Sequence, residues 1–136
     1  MTVSDASTFL RRTLWLDFAV SGATGVVMWL GADLLQAWLA LPSTLFRVAG
    51  LSLLPFCGVL IALATRPQVP RQAIVAVIVS NALWVVASVG LLVSGQVAPT
   101  MLGYAFVSVQ AVAVLGFAEL QWVGLRRIEG ARIVAS

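Results

Sequence analysis

Two acidic side chains, Asp17 and Glu119, lie inside long apolar runs. A carboxylate in such a run faces protein or water, because lipid tails offer it no partner. Asp17 follows Arg12 by five residues and Glu119 precedes Arg126 by seven. At about 1.5 Å of rise per residue, both then sit at comparable depth near one edge of a bilayer. If the helices that carry them are neighbours, the two acids make a site that binds a proton or a cation. Otherwise each turns toward the basic rim, Asp17 to Arg12 and Glu119 to Arg126. Asn81 and Gln110 lie about ten residues from the ends of their apolar runs, near the midplane. There they suit interhelical hydrogen bonds of about 0.6–2 kcal/mol, with a substrate contact as the alternative. Trp84, close to Asn81, packs in the interior or lines a cavity.

Catalytic chemistry has little to build on. The chain has no histidine, and its single cysteine, Cys57, sits alone in an apolar run. No Ser-His or Cys-His arrangement, no metal-spaced acid cluster and no glycine-rich phosphate loop is present. The expectation is a non-enzymatic protein with no metal centre and no cofactor.

These side chains need helices to hold them. Of 136 residues 61% are hydrophobic, 10% are charged and the mean hydropathy is +1.05, which excludes an ordinary soluble domain. The pattern predicts an all-α, four-transmembrane-helix bundle in one integral membrane domain, 1–136. The spans are expected at about 13–32, 44–65, 72–94 and 100–125, each long enough for the roughly 20 residues a bilayer core requires. Residues 1 to 9 read as a polar lead without structure of its own. In the first span Asp17, Ser21, Thr24, Met28 and Gly31 share a face, and Ser21-x-x-x-Gly25 permits close helix approach. A short interfacial helix from Leu34 to Leu41, capped by Asp33, separates spans one and two. Ser43 is expected to cap the second span, and Pro55 to kink it. The third span turns Ile74, Ile78, Asn81, Val85, Ser88 and Leu92 to one side.

The fourth span has two polar faces. Tyr104, Ser108, Ala111, Leu115, Glu119, Trp122 and Arg126 form one stripe, expected to face the bundle. Gln110 lies about half a turn away with Gly103, Val114, Phe117 and Gln121. That second face is then available to another molecule.

All eight basic residues are arginines, against five acids, for a net charge of +3. Arg11, Arg12, Arg66, Arg71, Arg126, Arg127 and Arg132 fall on one side of a four-span path and Arg47 alone on the other. The positive-inside rule then places both termini and the central connection in the cytoplasm. So strong a bias disfavours small multidrug transporters that assemble as antiparallel pairs. The arginines end apolar runs instead of forming a patch with stacking aromatics, so no nucleic-acid partner is expected. Trp15, Trp29, Trp38 and Trp122 read as interfacial anchors.

Segments 81–88 (NALWVVAS), 99–107 (PTMLGYAFV) and 117–121 (FAELQ) resemble an uncharacterised family of small bacterial four-span membrane proteins. The resemblance implies a bacterial inner-membrane setting and no defined chemistry. Three functions remain open from the residues alone. The first is a structural or accessory bundle that packs with itself or a larger membrane complex. The second is a proton-linked small transporter using Asp17 and Glu119. The third is a binder of lipid or another apolar ligand near Pro55 and Trp84.

Overall fold

The computed structural model describes residues 2–136, and those residues form five helices. They are α1 (Val3–Leu30), α2 (Ala32–Leu39), α3 (Ser43–Ala64), α4 (Arg71–Val93) and α5 (Met101–Ala135). All but α2 are long and apolar enough to cross a membrane.

The first helix starts ten residues before the expected span, because Thr2 and Asp5 form a capping box. The Thr2 hydroxyl accepts from the Asp5 N–H at 3.1 Å, and the Asp5 carboxylate accepts from the Thr2 N–H at 3.2 Å. Two of the orphan donors at the helix start are thereby satisfied. From Val3 onward the lead expected to be unstructured is therefore helical, Met1 lying outside the described residues, and Ala6 and Leu10 in or beside it are fully buried. At the other end of the chain α5 also outruns its expected limit at residue 125, and its extra turns bury Ile128. Both extensions lie outside the most apolar segment. What sustains them is apolar residues recurring every three or four positions.

The contacts order the helices as a row, α3–α1–α5–α4, with α3 and α4 meeting only sparingly. Between α1 and α3 the backbones approach closely at Gly25 and Gly50. A Cβ on Gly50 would lie 2.7 Å from the Gly25 carbonyl oxygen and 2.9 Å from the Trp29 nitrogen. The Ser21-x-x-x-Gly25 face is thus the α1–α3 seam.

Two apolar clusters close the two ends of the bundle along the helix axes. The first joins Leu10 and Leu14 to Leu60, Ile74 and Leu125. Around it Arg11 donates to the Pro67 carbonyl at 2.7 Å, Arg71 pairs with Glu129, and Arg127 lies 4.8 Å from the Phe9 ring centre. The second cluster, with Met28, Leu39, Phe46 and Val107, sits at the opposite end beneath α2. Asp33 does not cap α2, which begins at Ala32 rather than Leu34; its carboxylate pairs with Arg47 at 2.7 Å instead. Nor does Ser43 cap α3. It is already helical after Pro42, and its N–H donates to the Gln36 side chain at 2.6 Å. Thr100 clips the end of α2 to the start of α5, donating through its N–H to the Leu39 carbonyl at 3.1 Å and through its hydroxyl to the Trp38 carbonyl at 2.8 Å.

Candidate functional site

Between the two apolar clusters lie two layers of polar side chains, reached by the same helical spacing that builds the core. On α1 the buried stripe Leu10, Leu14, Asp17, Ser21, Gly25 and Met28 advances by threes and fours. Asp17 therefore points inward and is 0% exposed. On α4 the stripe Ile74, Val77 and Asn81 brings the amide of Asn81 to the same level, and on α5 Ala118, Gln121 and Leu125 do so for Gln121.

Three donors converge on the Asp17 carboxylate. Ser21 Oγ donates to Oδ1 at 2.8 Å, while Asn81 Nδ2 and Gln121 Nε2 donate to Oδ2 at 3.0 and 2.6 Å. Asn81 Nδ2 also donates to Gln121 Oε1 at 3.0 Å, closing a ring across α1, α4 and α5. A set made only of donors suits a carboxylate acting as acceptor. No cation joins it: among the described residues the ion pairs are Asp33–Arg47 and Arg71–Glu129, both at the ends of the helices.

The second layer lies further along α4 and α5. Trp84 Nε1 donates to Gln110 Oε1 at 2.6 Å, Gln110 Nε2 donates to Ser88 Oγ at 3.0 Å, and Ser88 Oγ donates to the Trp84 carbonyl at 2.8 Å. Gln110 and Trp84 are thus brought together, as are Asp17 and Asn81.

Glu119 stands apart from both layers. It is exposed on the outer side of α5, with Tyr104, Leu115 and Trp122 on the same side, and makes no hydrogen bond or ion pair among the described residues. Apart from Ala111, which is buried, the stripe expected to face the bundle therefore faces outward, and the Gln110–Gln121 face is the buried one. A full carboxylate draws attention to itself in an apolar run, yet the closer-packed face is the one carrying amides and small residues, Gly103, Ala111, Ala118 and Gly124. Gln121 is the member of the site that the charged residues obscured. Its signal was present, since it shares a face with Gln110 at a separation of about three helical turns. The rim pairings are not formed either. Arg126 lies over the Trp122 ring, 5.6 Å from its centre, and Asp17 is bonded to neutral side chains.

Beside the rings is a cavity of about 250 Å³ walled by all four long helices. Its lining includes Ser21 and Thr24 of α1, Phe56 of α3, Asn81 and Trp84 of α4, and Gln110 of α5. It lies where α3 and α4 stand apart. Cys57 is buried on the α1 side of α3, its Sγ 4.0 Å from the Phe18 carbonyl, and contributes nothing to this lining. Among the described residues no three His, Cys, Asp or Glu side chains come together. The chemistry on offer is hydrogen bonding and charge.

Comparison with known protein families, with curated proteins and with solved structures finds no match to the chain.

Proposed function

We propose that this chain is a non-enzymatic, multi-pass protein of a bacterial inner membrane that works by packing one face of α5 against another transmembrane segment. The arginine-rich end, with both termini and the α3–α4 connection, lies in the cytoplasm in this reading, because seven arginines sit there and one sits opposite. The observation that carries the proposal is Glu119. It lies on the outward face of an apolar helix about 10 Å along the axis from Arg126, where lipid would have to solvate it. Side chains lean toward the N-terminus of their helix. For α5 that direction leads away from the arginine end, so reaching the rim runs against the natural lean. A neighbouring helix that presents a donor or a cation removes the cost. A symmetric pair centred on this face would set two carboxylates against each other. That argues for a larger complex over a dimer built through Glu119.

Photo-crosslinking side chains placed at Leu115 and Trp122 in native membranes test this. The expected result is a discrete adduct that weakens in Glu119→Gln, with no such adduct from Leu83 on α4. A protein that stays monomeric and gives only lipid adducts at both positions overturns it.

A second reading, an apolar-ligand binder, is favoured by the cavity beside Trp84. The third, a carrier with Asp17 and Glu119 as coupled acids, has less support, because the two carboxylates lie on opposite sides of the α5 packing surface.

A further inference from the structure

The cavity has a chemical polarity that follows from how its walls spend their hydrogen bonds. The Ser21 hydroxyl is given to Asp17, the Trp84 N–H to Gln110, and the Gln110 amide to Ser88. Asn81 is only 4% exposed, and its amide nitrogen donates to Asp17 and to Gln121. Its carbonyl oxygen accepts from no group among the described residues, yet no buried polar side-chain atom there lacks a partner. That oxygen is therefore not sealed by protein, and the space Asn81 borders is the cavity. Donation by its own amide polarises the carbonyl and strengthens it as an acceptor.

Behind this acceptor, one hydrogen bond away, lies the unpaired charge of Asp17. In a low-dielectric interior that charge acts at longer range than it does in water. Phe56 and Trp84 complete the lining with aromatic surface, against which an apolar group packs. The Thr24 hydroxyl can turn either way. The walls thus offer acceptors, negative potential and aromatic rings, and few free donors.

We infer that this cavity is a binding site for a small amphipathic cation, a protonated amine with an apolar tail. Its N–H groups donate to the Asn81 carbonyl, with Asp17 supplying the counter-charge. The tail lies against Phe56 and Trp84 and leaves through the gap between α3 and α4 toward lipid. At about 250 Å³ the cavity falls just below the usual range of small-molecule sites, ~300–1,000 Å³, so only the head group and the first part of the tail are enclosed. Anionic amphiphiles are excluded by the same charge. This inference rests on the second reading above, that the cavity holds an apolar ligand.

The test uses the full chain in lipid nanodiscs, titrated with n-octylammonium, n-octanol or n-octanoate and read by tryptophan emission. Empty nanodiscs correct for partitioning, Trp84→Phe identifies the signal that arises at Trp84, and its loss in Asn81→Leu assigns it to this cavity, which Asn81 lines. The expected result is ammonium binding roughly tenfold or more tighter than octanol, as a hydrogen bond from a charged donor allows, with no octanoate binding. Asp17→Asn, which keeps the side-chain shape, should remove that preference, and Asn81→Leu should abolish ammonium binding. Equal binding of octylammonium and octanol overturns the cation inference but leaves the apolar-ligand reading standing. No Trp84-dependent change with any probe overturns both. The comparison of probes on the unaltered protein does not depend on either variant folding.

Discussion

A buried carboxylate held by three neutral donors is expensive to form and more expensive to disturb halfway. Replacing Asp17 with leucine removes the acceptor and leaves Ser21, Asn81 and Gln121 without their shared partner. With about 1 kcal/mol for each stranded donor, the loss is about 2–4 kcal/mol, set by how many of them find new partners. Asp17→Asn retains one acceptor and should cost less than Asp17→Leu. Gln121→Leu should destabilise in the same way, because it removes both a donor to Asp17 and an acceptor for Asn81. Glu119→Gln, on the exposed face, should leave the isolated protein within about 0.5 kcal/mol of the original. Unfolding midpoints in one detergent, measured side by side, check the order. A Glu119 variant as unstable as the Gln121 variant would contradict the assignment of faces on α5. At this scale the sequence was legible where polar residues share a stripe with core residues, as Asp17 and Asn81 do. It misled where charge was weighed above packing, as in the choice of Glu119 over Gln121. Formal charge says that a side chain needs a partner, but it does not say whether that partner lies in the same chain.

Helices in this protein are set by their seams and caps more than by hydropathy. Gly50 meets the backbone of α1, so Gly50→Ala must push α1 and α3 apart, at about 1–3 kcal/mol. Gly58 is in the same helix with nothing within 4 Å of its missing Cβ. Gly58→Ala should therefore be neutral or stabilising by up to about 1 kcal/mol. The same unfolding measurement separates the two. The start of α1 gives a pH-dependent signature. Hydrogen bonds from Thr2, its side chain first and its backbone second, hold the Asp5 carboxyl below its ordinary value of 3.8. A carboxylate favoured in the folded helix stabilises it fully above that value, and the contribution is lost as pH falls through the lower, folded one. Protection of the first turn of α1 against amide exchange, taken relative to the intrinsic rate at each pH, should therefore fall as the pH drops below 3.8, and Asp5→Asn should remove that dependence. The boundaries that could not be read from hydropathy were these extensions. A window of apolar residues marks what lipid tolerates, whereas a helix continues for as long as its caps and its buried stripe allow. Thr2-x-x-Asp5 with Ala6, Leu10 and Leu14 was the available signal at one end, and Leu125 with Ile128 at the other.

Four long helices arranged as a row differ from a closed ring in one place, the seam between the first and last members. Here that seam is α3 against α4. Near the arginine end Leu60 and Leu63 share a cluster with Ile74 and Val77, but one turn further along α4 the side of Ser80 is exposed. A closed ring would cover Ser80 with α3. The row leaves it at the mouth of the cavity, next to Asn81, which is buried by its contacts with α1 and α5. Helix order was not readable from the sequence, because each span has apolar residues all round and only the amides mark which faces meet. Spin labels placed singly on α4 of the reconstituted protein distinguish the two arrangements. In the row, oxygen collides with a label at Ser80 about as often as with one at Leu83, which faces outward, and far more often than with one at Val77, which is 2% exposed. In a ring, Ser80 would behave like Val77. An apolar molecule that fills the cavity should lower the collision rate at Ser80 and leave Leu83 unchanged, so one set of labels reports both the open seam and the occupancy of the space behind it.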